Sequence, residues 1–183
     1  MALQSSVCEF GQAALPFRLR GTGGAWHTPD SARGPNGLLV MFICNHCPYV
    51  KAVIGRIVRD CAELATHGIG SIAIMSNDTA QYPEDSWDNM ARIARDLAFP
   101  FPYVLDETQE VARAYGAVCT PEFFGYNASL ELQYRGRLDD SGRNATPGAR
   151  RELFEAMVEV ARSGAGPRRQ SPSIGCSIKW RNS

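Results

Sequence analysis

Leu38–Ile43 is an unbroken apolar run between turn residues, the pattern of a strand buried on both faces. From about Asn45 to His67 the apolar positions change period. Val50, Val53, Ile54, Ile57, Val58, Cys61 and Leu64 recur at three- and four-residue steps, and Gly68 stands where a helix would stop. Ile69–Met75 is again apolar and strand-length. Strand, helix and strand in this order predict a βαβ unit with parallel strands and a right-handed crossover.

The rest of the chain predicts shorter elements. Phe17–Leu19 reads as a strand before a loop through Gly21–Gly24 and Pro35–Gly37. Glu84, Asp85 and Asp88 put acid at the start of a helix whose end carries Arg92 and Arg95, as the helix dipole favours. Tyr103–Leu105 reads as a brief strand, and Thr108 as the cap of a helix over Gln109–Tyr115 that Gly116 stops. Glu122–Tyr126 and Leu130–Arg135 form a hairpin signal around Asn127–Ser129. Ala149–Ser163 carries Leu153, Phe154, Met157, Val158 and Ala161 on one helical face, and Gly164–Ser183 is a Pro/Gly/Ser-rich tail. These elements predict one α/β domain over residues 1–163, with an N-terminal extension, and a tail over 164–183 packing on it. The architecture is a three-layer sandwich, with a mixed central sheet and helices on both faces.

A length of 183 residues suits a single domain. Nineteen basic residues balance nineteen acidic ones, so the chain lacks the field that drives binding to nucleic acid or to anionic lipid. No apolar run approaches the roughly 18 residues of a membrane helix. Met1–Phe17 lacks a basic stretch followed by an apolar one, which makes the cytoplasm the expected location. Six cysteines in that setting point to redox chemistry or metal binding rather than a disulfide scaffold.

Cys44-Asn45-His46-Cys47 places a C-x-x-C between a buried strand and a helix. A helix N-terminus offers free N–H groups and partial positive charge, which lower a thiol pKa. Cys44 is expected to lie nearest solvent and attack, Cys47 to resolve the mixed disulfide, and His46 to stabilise the thiolate and make the pair more oxidising. Two other readings stand beside this one. The motif is also half of a zinc site, completed by Cys119, Cys176 or His27, or a pair of inert buried thiols. Thr120-Pro121 opens the Glu122 strand; it is either an ordinary strand start or a cis bond leaving the preceding backbone free for a substrate chain.

The strand, C-x-x-C, helix and later Thr-Pro together resemble the thioredoxin-like superfamily. Val40–Lys51, with its Cys-Asn-His-Cys-Pro-Tyr-Val-Lys run, is similar to redoxin-domain proteins related to alkyl hydroperoxide reductase and thiol-specific antioxidant. The likeness continues through Ser76–Asp78, Tyr82–Asp85, Phe101–Tyr103, Asp106–Ala112, Tyr115–Ala117, Cys119–Pro121, Tyr134–Asp140 and Pro172–Trp180. It implies a thioredoxin fold, a cis Pro121 preceded by Thr120, and a redox-active Cys44–Cys47 pair. The activity implied is thiol–disulfide exchange, with thiol-dependent peroxidase and metal-binding or redox-sensing protein as alternatives. No cofactor or metal beyond the cysteines is implied. The partners are a protein or small-molecule disulfide and a thiol reductant, and a homodimer is left open.

Three positions depart from the pattern. Ile43 stands where thioredoxins carry Trp, and Leu38 where they carry a buried acid, leaving Glu122 and Asp106 as candidate proton acceptors for Cys47. Neither cysteine sits in the P-x-x-x-[ST]-x-x-C frame of peroxiredoxins. Cys119, two residues before Pro121, is a candidate partner for Cys44 or a plain lining residue. A tail with Ile174, Ile178 and Trp180 is able to bring Cys176 to the site or simply to pack.

Overall fold

A computed structural model describes residues 1–182. Along the chain run β1 (Ala2–Gln4), β2 (Leu19–Gly21), β3 (Trp26–His27), α1 (Pro29–Ala32), β4 (Gly37–Phe42), α2 (Pro48–Thr66) and β5 (Ile69–Met75). Then follow α3 (Trp87–Asp96), β6 (Tyr103–Leu105), α4 (Glu110–Tyr115), β7 (Cys119–Thr120), β8 (Glu122–Asn127), β9 (Leu132–Tyr134), α5 (Glu152–Ser163) and β10 (Ile174–Ser177).

The continuous apolar run becomes the central strand because both of its faces are covered. Leu39 and Met41 of β4 pack with Val50, Val53, Ile57 and Leu64 of α2, Met90 of α3 and Leu153, Met157 and Val160 of α5. Leu38, Val40 and Phe42 point the other way, to Ala112 and Tyr115 of α4 and to Ile178. Each fully buried side chain of this size contributes about 1.5–3 kcal/mol of burial free energy. The result is the expected three-layer mixed α/β sandwich.

Within the sheet, β5 pairs with β6 in parallel, and β2 pairs antiparallel with both β6 and β3. On the other side, β8 lies antiparallel between β4 and β9. The halves join where the Ile43 N–H donates to the Ile74 carbonyl at 3.1 Å. A separate small antiparallel sheet has the order β1–β10–β7.

Several boundaries differ from the pattern, each for a local reason. α2 starts at Pro48 rather than Asn45, because the Asn45 and His46 N–H groups donate to Asp85 Oδ1 at 2.7 and 3.3 Å. The N-cap of α4 is Gln109 rather than Thr108, whose hydroxyl accepts from the Glu110 N–H at 3.4 Å. Gln109 takes a left-handed conformation at φ 65°, and the Asp106 carboxylate accepts from the Val111 and Ala112 N–H groups. α5 starts at Glu152 rather than Ala149; the preceding Arg150 N–H is taken by Asp140 Oδ1 at 2.9 Å. The early strand is displaced to Leu19–Gly21, and the tail holds β10, which composition alone concealed.

Candidate functional site

The site lies where β4 ends, α2 begins and the β7–β8 turn comes alongside. Cys47 is the N-cap of α2, with Pro48 at the first helical position, and Cys44 sits in the preceding loop. Both sulfurs are interior: Cys44 is 2% exposed and Cys47 0%. This corrects the expectation of a solvent-facing Cys44.

Thr120 bridges the pair. Its hydroxyl is 3.5 Å from Cys44 Sγ, and its carbonyl accepts from Cys47 Sγ at 3.2 Å when that thiol is protonated. The Thr120–Pro121 bond is cis. Behind Cys44 lies an apolar cavity of about 120 Å³, bordered by Ile43, Val50, Ile54, Leu97, Phe99 and Tyr103.

The two thiols of the pair shift in opposite directions. The Cys47 thiol falls from 9.0 to about 4, chiefly because Cys44 hydrogen-bonds to it. Burial opposes the shift, and the neighbouring Cys176, Thr120 and Val50 N–H add to it. Cys44 moves the other way: its proton is held by the bond to Cys47, by burial and by the negative charge of Asp85. Cys47, as the N-cap of α2, is the sulfur nearer the helix N-terminus.

His46 is fixed beside the pair. Its Nδ1 lies 2.6 Å from Asp85 Oδ2, and its ring stacks on Tyr82 at 5.2 Å and 8°. Asp85 is fully buried and also accepts from Asn77 Nδ2 at 2.8 Å and from the two loop N–H groups. Asn45 is clamped between the Tyr103 hydroxyl at 2.8 Å and the Glu84 carbonyl at 3.1 Å.

Cys44, His46 and Asp85 bring ligand atoms within 4.8 Å of one another, the one such cluster among the described residues. The carboxylate in it is already engaged by four donor groups. The zinc set imagined from sequence, with Cys119, Cys176 or His27 completing the motif, does not assemble among the described residues.

Neither candidate proton acceptor stands free at Cys47. Glu122 is fully buried and ion-paired with Arg135 at 2.6 Å, and it also accepts from the Val118 and Cys119 N–H groups. Asp106 is taken up by the start of α4 and by the Ser76 hydroxyl at 2.9 Å. Cys119 faces Glu122 at 3.8 Å, and burial followed by that carboxylate raises its thiol. No bond joins Cys119 to Cys44 among the described residues.

The edge beside Thr120 is not free for a substrate chain, as sequence reasoning proposed. β10 occupies it, with Cys176 opposite Thr120 and Ser177 opposite Cys119. This packs Cys176 against the buried cluster that holds Cys44 and Cys47.

The model of the AhpC/TSA family matches residues 10–141, which span β2 to β9 and include the whole C-x-x-C loop and Thr120-Pro121. The chain belongs to the AhpC/TSA family. Solved relatives of this AhpC/TSA protein include an uncharacterized conserved protein from Geobacillus kaustophilus. It is 42% identical over 100% of this chain and 98% of that one, with a TM-score of 0.94. A hypothetical protein from Sinorhizobium meliloti is 34% identical over 98% of this chain and 99% of its own, with a TM-score of 0.90. A thiol:disulfide interchange protein of the thioredoxin family from Chlorobium tepidum, at 20% identity, 82% and 96% coverage and a TM-score of 0.61, shows the same fold. No curated protein matches the chain. The protein is a thioredoxin-like redoxin of the oxidoreductase class.

Sequence reasoning missed Asp85, which orients His46 and shapes the C-x-x-C loop of this AhpC/TSA protein. Its place before a helix made it look like a dipole complement. Asn77, Tyr82 and Tyr103 were part of the resemblance but carried no role. The signal available was that these stretches are matched although they lie far from the cysteines in sequence.

Proposed function

We propose that the protein is a thiol–disulfide oxidoreductase that cycles Cys44 and Cys47 between dithiol and disulfide. The observation that carries this reading is the placement of Cys44 and Cys47 at the start of α2, with Thr120 of the cis Thr120–Pro121 turn in contact with both sulfurs. The Cys47 thiolate attacks a substrate disulfide and expels one thiolate. Cys44 then attacks Cys47 Sγ and expels the second thiol, its proton leaving with that group, and the Cys44–Cys47 disulfide remains. A thiol reductant reopens it. Small disulfides suit the site better than polypeptides, since the Thr120 edge is already paired with β10.

The test is reduction of a small disulfide and of insulin by wild type, Cys47→Ser and Cys44→Ser. Cys47→Ser loses the activity, and Cys44→Ser, unable to close the Cys44–Cys47 bond, is held with Cys47 in a disulfide to another thiol. Full turnover by Cys47→Ser would end the proposal.

A second reading, thiol-dependent peroxidase, has its own support. The Thr120 hydroxyl beside Cys44 supplies in space the group that the peroxiredoxin frame supplies in sequence, and the apolar cavity has room for a small peroxide. A cysteine thiolate would attack the peroxide, an alcohol or water would leave, and the sulfenic acid would condense with the second thiol to release water. Peroxide consumption coupled to a thiol reductant separates this reading from the first.

A further inference from the structure

The dithiol lies beneath the protein surface, so an external disulfide needs a route to it. Cys44 and Cys47 are buried, whereas Cys176, packed against the same cluster, is half-buried. It stands opposite Thr120 in the strand register, and the Thr120 carbonyl is 3.2 Å from Cys47 Sγ. The three sulfurs thus form a chain from the protein surface inward: Cys176, Cys47, Cys44.

The strand that brings Cys176 there is fitted to its position. A Cβ on Gly175 would collide with the Thr120 carbonyl, so the close approach of β10 to the cis turn requires glycine. On one side, Ser5 N–H donates to the Ser173 carbonyl at 2.9 Å and Ser173 N–H to the Ser5 hydroxyl at 3.0 Å. On the other, Ile178 N–H donates to the Val118 carbonyl at 3.0 Å and Lys179 N–H to Asn77 Oδ1 at 2.8 Å, while Arg113 lies 4.4 Å over the Trp180 ring. A segment held this firmly is part of the site.

We propose that Cys176 is the entry thiol of the site, taking up a low-molecular-weight disulfide from solution and passing the oxidation inward. The inference rests on the Cys44–Cys47 reading above and adds its port and its substrate class. In the first step the Cys176 thiolate attacks the external disulfide, forms a mixed disulfide and expels one small thiolate. The Cys47 thiolate then attacks Cys176 Sγ, making the Cys47–Cys176 bond and expelling the second small thiolate. Finally Cys44 attacks Cys47 Sγ, the Cys44–Cys47 bond replaces Cys47–Cys176, and the Cys44 proton ends on Cys176. Overall, the small disulfide is reduced to two thiols and the inner pair is oxidised. Burial and the neighbouring Cys47 raise the Cys176 thiol, and its proton leaves with the first small thiolate.

The test oxidises the reduced full-length protein with oxidised glutathione, quenches by alkylation and maps linkages by mass spectrometry over time. Wild type ends as Cys44–Cys47. Cys44→Ser ends as Cys47–Cys176 with no glutathione attached. Cys176→Ser and Cys176→Ala both form Cys44–Cys47 about tenfold or more slowly, because an external disulfide must then reach a buried sulfur. Oxidation of both Cys176 variants at the wild-type rate would overturn the proposal. So would a Cys44→Ser product that keeps glutathione on Cys47 with Cys176 free. Failure of the dithiol reading looks different: wild type would then show no Cys44–Cys47 linkage at any time, and the entry role would fall with it.

Discussion

A thiolate on Cys47 has measurable consequences. Its pKa is depressed from 9.0 to about 4, so the folded reduced protein holds one thiolate throughout the neutral range. A group depressed on folding stabilises the native state most above its unfolded value. That contribution is full above pH 9.0 and disappears as pH falls to about 4. Ultraviolet thiolate absorbance of the reduced protein is expected to persist to near pH 4 and to be absent from Cys47→Ser; a transition near the ordinary thiol range would refute the assignment. His46 belongs to the same scale. Stabilising the reduced form makes a disulfide more oxidising, so His46→Pro should lower the redox potential by roughly 30 mV or more. An unchanged or higher value, measured by glutathione titration, would show that His46 does not tune the pair. At this scale the C-x-x-C was legible from its placement between a buried strand and a helix, whereas the cis Thr120–Pro121 bond followed only from the family resemblance. Asp85 was not, since only the fold brings it to His46 Nδ1.

Elements were legible where a hydrophobic run and its stop signals coincide. β5 and β6 match the predicted Ile69–Met75 and Tyr103–Leu105 because each apolar run ends at a polar residue that the fold also uses. Starts and caps were less legible: α2 and α4 begin where distant or non-adjacent carboxylates, Asp85 and Asp106, claim the backbone N–H groups. β10 left no periodic trace because it exists through pairing with β7 and β1 rather than through an apolar face. The collision at Gly175 makes this strand testable. Gly175→Ala should cost about 1–3 kcal/mol by forcing β10 away from Thr120. It should also speed alkylation of Cys47 under native conditions. Unchanged stability and unchanged alkylation would mean that the strand accommodates the methyl group.

Across the whole molecule, the buried Glu122–Arg135 pair ties the sheet to the turn that carries the site. Glu122 begins β8 and holds the N–H groups of Val118 and Cys119, while Arg135, just past β9, reaches it at 2.6 Å and donates to the Gly116 carbonyl at 2.8 Å. Arg135→Ala would leave a carboxylate buried without its partner, at a cost of about 3–5 kcal/mol in denaturant unfolding. The paired change Glu122→Gln with Arg135→Met should cost less, because it leaves no charge stranded; equal losses would show that packing rather than charge dominates. Overall layering was legible from the alternation of strand and helix patterns. The burial of the sulfurs was not, because it depends on a segment distant in sequence returning over them.

Asn77 joins two parts of this arrangement through one amide: its nitrogen donates to Asp85 Oδ2 at 2.8 Å and its oxygen accepts from the Lys179 N–H at 2.8 Å. The chemical ageing of that side chain would therefore be felt at two places together. Deamidation would set a second carboxylate against Asp85 in a buried space, where like charges repel strongly. A stored sample damaged there would have a displaced imidazole at one end of the amide and a detached segment at the other.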